Sequence, residues 1–162
     1  LEEVLNFCFG RLDLNIEIKY NGKNEGIVQK VVQVIRDNNF QEHCAVTSMN
    51  YQFLEQIKAS APEIRTGYIM TMSYGSISQV AAADFFSIRY DYVTENFVKE
   101  AHALGKEVHA WTVNYRGNVK RMLDIGVDNI ITDDPALVRK VQNQESGTRT
   151  DFSELLKYAL GI

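Results

Sequence analysis

Glu17 and Lys19 stand two residues apart near the end of a short apolar segment, Leu14-Asn15-Ile16-Glu17-Ile18-Lys19. Side chains alternate faces along a strand, so this segment, read as a strand, puts Glu17 and Lys19 on one face and Ile16 and Ile18 on the other. A carboxylate is a hard oxygen ligand for Mg²⁺ or Ca²⁺, and a lysine beside it can hold a phosphate oxygen as a point charge. Such a pair at a strand end forms one wall of a site. The plainer alternative is an exposed strand face carrying a local ion pair.

Those residues need a framework, and the chain supplies one. Apolar residues recur at helical spacing at Leu1, Val4, Leu5 and Cys8, with Gly10 following. After the first strand, Ile27, Val31, Val34 and Ile35 mark a helix, and Cys44 to Ser48 a second strand. Phe53, Leu54 and Ile57 mark a helix that Pro62 ends, and Arg65 to Met70 a third strand. Ser76 to Ala82 reads as a short helix or turn and Asp84 to Ile88 as a fourth strand. Thr94 caps a helix over Glu95 to Leu104 that Gly105 closes. Glu107 to Val113 is a fifth strand, Val119 to Ile125 a helix ended by Gly126, and Asn129 to Thr132 a sixth strand. Pro135 opens a further helix, where its missing N–H costs nothing.

Strand centres thus recur roughly every 19 to 29 residues, the rhythm of successive βα units on a parallel sheet. Two architectures fit: a doubly wound open sheet, or part of a (β/α)₈ barrel, which has about 250 residues and eight strands. The chain has 162 residues, enough for one domain with a sizeable core. Its polar segment 143–150 reads as a linker. After it, Phe152, Leu155, Leu156 and Ala159 form the stripe of an amphipathic tail helix. The domain reading is therefore 1–142 for the barrel-like unit and 143–162 for linker and tail.

Composition bounds the partners. The net charge is −4, which offers no electrostatic footprint for nucleic acid. No apolar run reaches the ~20 residues of a membrane helix. Cys8 and Cys44 lack metal-type spacing and leave the redox compartment open.

In parallel α/β folds, sites form at the carboxyl ends of the strands. The polar residues there are Glu17 and Lys19; Thr47, Ser48 and Asn50; Arg89 and Asp91; Trp111 and Asn114; and Asp133 and Asp134. One of the two aspartates before Pro135 is expected to cap its helix. His43 lies at the amino end of its strand, His102 on a helix, and His109 two residues below Trp111 as a satisfied core or bottom-face histidine. No two histidines are placed to exchange protons as acid and base.

Four segments, taken in order, resemble the glycerophosphodiester phosphodiesterase family. Leu14 to Lys19 is similar to its Glu-x-Lys strand. Val46-Thr47-Ser48-Met49-Asn50, with Leu54 and Pro62, is similar to its Ser-Phe-Asp/Asn segment. Val108-His109-Ala110-Trp111-Thr112-Val113-Asn114 resembles its Trp-Thr-Val-Asn strand, and Gly126 to Pro135 its closing Gly-Val-Asp-Gly-Ile-Ile-Thr-Asp-x-Pro. The resemblance covers roughly residues 12–142. It implies a partial (β/α)₈ barrel of about six units, corresponding to strands three to eight. It also implies hydrolysis of glycerophosphodiesters to an alcohol and glycerol 3-phosphate with Ca²⁺ or Mg²⁺. Glu17 then matches a metal-ligand glutamate, Lys19 the lysine near the phosphate, and Trp111 the tryptophan beside the glycerol moiety. Ser48, Asn114 and Asp133 match by position only.

The family's His-Arg-Gly strand, its Glu-x-Asp metal pair and its second histidine do not occur in this sequence. This departure implies that the chain alone is inactive, with no catalytic histidine pair and only doubtful metal binding. The alternative is a non-catalytic interaction module. A partial barrel would offer open strand edges and an unfilled apolar interior, inviting self-association or a complementary segment. A related barrel phosphodiesterase acting on phospholipids is a third reading. The domain is expected to be soluble, in a parent protein that could be membrane-attached.

Overall fold

Six strands pair side by side in chain order in the computed structural model, which describes residues 1–22, 24–71 and 77–144. They are β1 (Leu14–Glu17), β2 (Cys44–Ser48), β3 (Arg65–Met70), β4 (Phe85–Arg89), β5 (Glu107–Trp111) and β6 (Asn129–Ile130). Every neighbouring pair is parallel, and the sheet curls into a half-barrel with β1 and β6 at its ends. The helices are α1 (Glu2–Cys8), α2 (Ile27–Asp37), α3 (Tyr51–Ser60), α4 (Glu95–Ala103), α5 (Arg116–Ile125) and a helical stretch over 135–144. Between β3 and β4 the described residues hold only a 3₁₀ turn, Ile77–Gln79. The last described helix runs through 143–144, where a linker is expected to begin; the rest of that linker and the expected tail helix lie outside the described residues.

Local chemistry sets the helix ends. The Thr94 hydroxyl accepts the Phe97 N–H at 3.2 Å and opens α4. Asn50 Oδ1 accepts the Gln52 N–H at 3.1 Å and opens α3. Gly126 ends α5 at φ +80°, a conformation that a Cβ disfavours.

Two apolar cores lie between the sheet and its helices. Phe86, Ile88, Val108 and Ala110 face Val98, Val119, Met122 and Val141. Val46, Ile18 and Phe40 pack with Leu5, Val28, Ile35 and Ile57. The stripe of α2 is shifted from expectation: Val28, Val32 and Ile35 are buried, while Ile27, Val31 and Val34 flank the core. Helix α1 buries only Leu5 and Cys8; Leu1 and Val4 stay exposed, because the helix packs on its neighbours along one narrow line. Both cysteines are free and buried. Burial, aided by Asp13, pushes the Cys44 thiol up to about 11, so it stays protonated.

The alternate residues of the strands face inwards, and the interior they line is mixed rather than wholly apolar. Asn15, Thr47, Ser87 and His109 line the concave side beside Ile69, Phe85 and Trp111. The helices take the apolar parity of each strand, which leaves the other parity free to carry polar groups.

Candidate functional site

The first strand ends sooner than its apolar pattern suggests. Its ladder with β2 stops at Glu17 opposite Thr47, and the Ile18 N–H adds one last bond to the Thr47 carbonyl at 2.8 Å. Ile18 buries its side chain as alternation expects, while Lys19 lies past the paired residues; Glu17 and Lys19 still come to one side, lining a common cavity. Ser48, fully buried at the end of β2, donates its hydroxyl to the Ile18 carbonyl at 2.7 Å and accepts the Asn50 N–H at 3.0 Å. Asn24 Nδ2 donates to the Lys19 carbonyl at 2.8 Å. The backbone that carries Glu17 and Lys19 is thus pinned from both sides. Their charged ends remain in solvent, with Lys19 Nζ 3.8 Å from Glu17 Oε2.

Glu17 lines a cavity of about 320 Å³ at the carboxyl ends of the strands. Asn15 and Thr47 form its wall on the β1–β2 side, where the Thr47 hydroxyl donates to Asn15 Oδ1 at 2.9 Å. Trp111 and Thr112 close it from the end of β5, and Ile69 and Ser87 lie between. The structure therefore brings Glu17 and Trp111 to one cavity. Lys19 lines an adjoining cavity of about 700 Å³ that shares Glu17 and Met49 with the first. Trp111 is half-buried, and its indole Nε1 has no hydrogen-bond partner among the described residues.

The other strand-end residues have structural work. Asn114 donates to Asp133 Oδ2 at 2.6 Å, and its Oδ1 accepts from the Asp133 N–H at 3.0 Å and the Thr132 hydroxyl at 3.1 Å. Asp134 Oδ1 accepts the Leu137 N–H at 3.0 Å, the expected helix cap. Arg89 and Asp91 pair with each other, and the hydrogen bonds from Arg89 hold the Asp91 carboxyl below the usual range. Thr47 faces the cavity, whereas Ser48 points away from it and serves the backbone.

No histidine reaches this end. His43 contacts Asp13 at 3.1 Å and His102 contacts Asp128 at 2.8 Å, both away from the cavity. His109 lies deeper, stacked on Phe85 with ring centroids 4.0 Å apart. Its Nε2 meets Glu107 Oε2 at 3.0 Å, but its buried Nδ1 has no partner among the described residues, so the ring is only half satisfied. Burial lowers its pKa below the usual value against the pull of Glu107, which keeps it neutral near pH 7. Nor do the described residues make a complete site for a hard cation that wants six or more oxygens. Among the described residues Glu17 is the one carboxylate lining the cavity, Asn15 Oδ1 already accepts a hydrogen bond, and no group of three or more His, Cys, Asp or Glu is placed to hold a metal.

The model of the glycerophosphoryl diester phosphodiesterase family matches residues 1–137. The chain belongs to this family. It is 30% identical over 136 residues to a glycerophosphodiester phosphodiesterase of Caldanaerobacter subterraneus, covering 78% of this chain and 56% of that one. To a glycerophosphodiester phosphodiesterase of Arabidopsis thaliana it is 28% identical over 118 residues, covering 70% of this chain and 36% of that one. Its fold matches the crystal structure of a glycerophosphodiester phosphodiesterase of Parabacteroides distasonis. There the TM-score is 0.81 at 20% identity, over 90% of this chain and 64% of the other. The chain thus spans between about a third and two thirds of the length of these relatives.

Several lining residues escaped sequence reasoning. Asn15, Ile69 and Ser87 sit on the concave parity of their strands, and the parallel register would have found them once one inward residue was known. Met49 and Thr112 lie just past strand ends, where alternation gives no signal.

Proposed function

We propose that this chain carries the substrate-holding part of a glycerophosphodiester phosphodiesterase site, binding the phosphodiester without turning it over alone. One observation carries the reading: Glu17 and Trp111 line a single cavity at the carboxyl ends of β1 and β5, with Lys19 at its margin. The Lys19 ammonium would offset charge on the non-bridging phosphoryl oxygens. The Trp111 ring would pack on the glycerol carbons, and the pinned Glu17-Ile18-Lys19 backbone would fix where the phosphorus sits. In the complete enzyme, Glu17 would be one of several carboxylates holding Ca²⁺ or Mg²⁺. Hydrolysis needs one group to deprotonate the attacking hydroxyl and another to protonate the leaving alcohol. The described histidines support neither role, which favours inactivity.

The test is incubation with glycerophosphocholine and Ca²⁺ or Mg²⁺, together with a glycerol 3-phosphate titration followed by the fluorescence of Trp111, the sole tryptophan. Saturable binding without choline release is expected. Metal-dependent release would overturn the inactivity, and absence of binding would overturn the substrate.

A second reading, an interaction module, is favoured by the exposed Phe7, Phe9 and Leu12 around the end of α1, which are 53–69% accessible. It predicts self-association by light scattering; a monomer at high concentration would oppose it.

A further inference from the structure

Lys19 lies past the paired part of β1, whose ladder ends with Glu17 opposite Thr47. Sheet pairing therefore does not fix its backbone, but two side chains do. The peptide before Lys19 has its carbonyl, that of Ile18, held by the Ser48 hydroxyl at 2.7 Å. The peptide after it has its carbonyl held by Asn24 Nδ2 at 2.8 Å. Each of these donors is itself oriented through its acceptor oxygen. Ser48 Oγ accepts the Asn50 N–H at 3.0 Å, and Asn24 Oδ1 accepts the Asn21 N–H at 2.8 Å. A hydroxyl engaged in this way has its proton aimed at one acceptor. One step earlier, the Ile18 N–H meets the Thr47 carbonyl at 2.8 Å. Peptide units are planar, so fixing these three in succession fixes the directions in which the Glu17 and Lys19 side chains leave the chain. The anchors come from two places in the fold: Ser48 is fully buried at the end of β2, and Asn24 lies in the loop before α2.

From this bracketing we infer that Ser48 and Asn24 are positioning residues for phosphate binding, each acting through Lys19. The inference rests on the phosphate reading of Lys19. The Lys19 side chain is 79% exposed and stands 3.8 Å from Glu17, and an exposed pair of this kind gains little stability from a fixed backbone. A cation that must meet a phosphate at one place gains more, because a side chain with a fixed root has less freedom to lose on binding. Neither Ser48 nor Asn24 is among the described residues lining the two cavities at the strand ends, so neither is placed to touch the ligand itself. Their contribution passes through the two carbonyls that flank Lys19.

The experiment is a double-mutant cycle on the full chain, titrated with glycerol 3-phosphate and read by Trp111 fluorescence. Ser48→Ala and Asn24→Ala are each made in the unaltered chain and in Lys19→Ala, and unfolding curves fix a temperature at which every protein is folded. In the unaltered background each substitution should weaken binding about three- to tenfold, the size of one side chain's ordering on binding. In the Lys19→Ala background the same substitutions should change affinity by less than about twofold, because the group they position is gone. A merely structural role would weaken binding equally in both backgrounds, and that result overturns the inference, as does unchanged affinity in the unaltered background. Should Ser48→Ala not fold, Asn24→Ala, a change in a loop, decides the matter alone. If glycerol 3-phosphate binds the unaltered chain and the cycle shows no coupling, the positioning alone fails. If it does not bind the unaltered chain, the phosphate reading fails and the positioning with it.

Discussion

At the lower mouth of the half-barrel, the charged side chains consume one another. Arg65 pairs with Glu107 at 2.8 Å, Glu107 meets His109 at 3.0 Å, and His109 stacks on Phe85. The Phe85 ring in turn lies over Gly67, where a Cβ would come within 2.2 Å of it. At the upper mouth, the same strands present Glu17 and Lys19 with solvent-exposed charges only 3.8 Å apart, and a Trp111 indole N–H with no described partner. The lower layer is held by packing and internal pairing around a smaller cavity of about 210 Å³, with His109 Nδ1 left without a partner among the described residues. The upper layer has a pinned backbone and unspent side chains. Charged residues on one sheet face thus divide into those packed into the fold and the Glu17–Lys19 pair, which faces the cavities at the upper mouth.

This contrast can be broken by substitution. Phe85→Ala should have the largest effect, a loss of about 3–5 kcal/mol in urea unfolding, because it empties a fully buried aromatic site and unstacks His109. Gly67→Ala should cost about 1–3 kcal/mol by the same measurement, since the added methyl must displace the Phe85 ring. A cost near zero for both would mean that packing in the lower layer does not hold the fold.

A pH series sharpens the lower half. The His109 pKa is lowered in the fold, so the unfolded chain takes up the proton first. Its contribution to stability is therefore full above the ordinary value of 6.5 and declines as pH falls towards the lower folded value. Unfolding midpoints should drop between pH 6.5 and 5.5, and His109→Leu should flatten that drop. An equally steep drop in the variant would remove His109 as the cause.

The smallest stability effect is expected at the upper mouth. Glu17→Gln and Lys19→Ala should each change stability by no more than about 0.5 kcal/mol, as for an exposed ion pair. A loss as large as that of Gly67→Ala would place the pair with the structural groups and erase the contrast.

Much of this was legible in the sequence. The βα rhythm, the Thr94 cap, Gly126 and a cap from one of the two aspartates before Pro135 follow from local chemistry, and the structure shows each, with Asp134 as the cap. Glu17 and Trp111 were found as strand-end residues, and one cavity joins them. The end of β1 was not legible, because the Ile18 carbonyl is taken by a Ser48 hydroxyl thirty residues away. The polar residues within the interior were hidden because alternation does not say which parity is concave. His109 looked satisfied because nothing local reveals that Nδ1 is enclosed without a partner. Tyr20 and Tyr51 became neighbours of the site only when the loop after β1 and the start of α3 met around one cavity.

The most direct measurement is a glycerol 3-phosphate titration of the chain and of Lys19→Ala, read by Trp111 fluorescence beside unfolding curves. A saturable signal is expected in the unaltered chain. In Lys19→Ala the affinity should fall at least about tenfold, the loss of one charge-assisted phosphate contact, with the unfolding midpoint unchanged. Equal affinity in the two proteins would contradict the assignment of phosphate to Lys19 and, with it, the division between the two mouths.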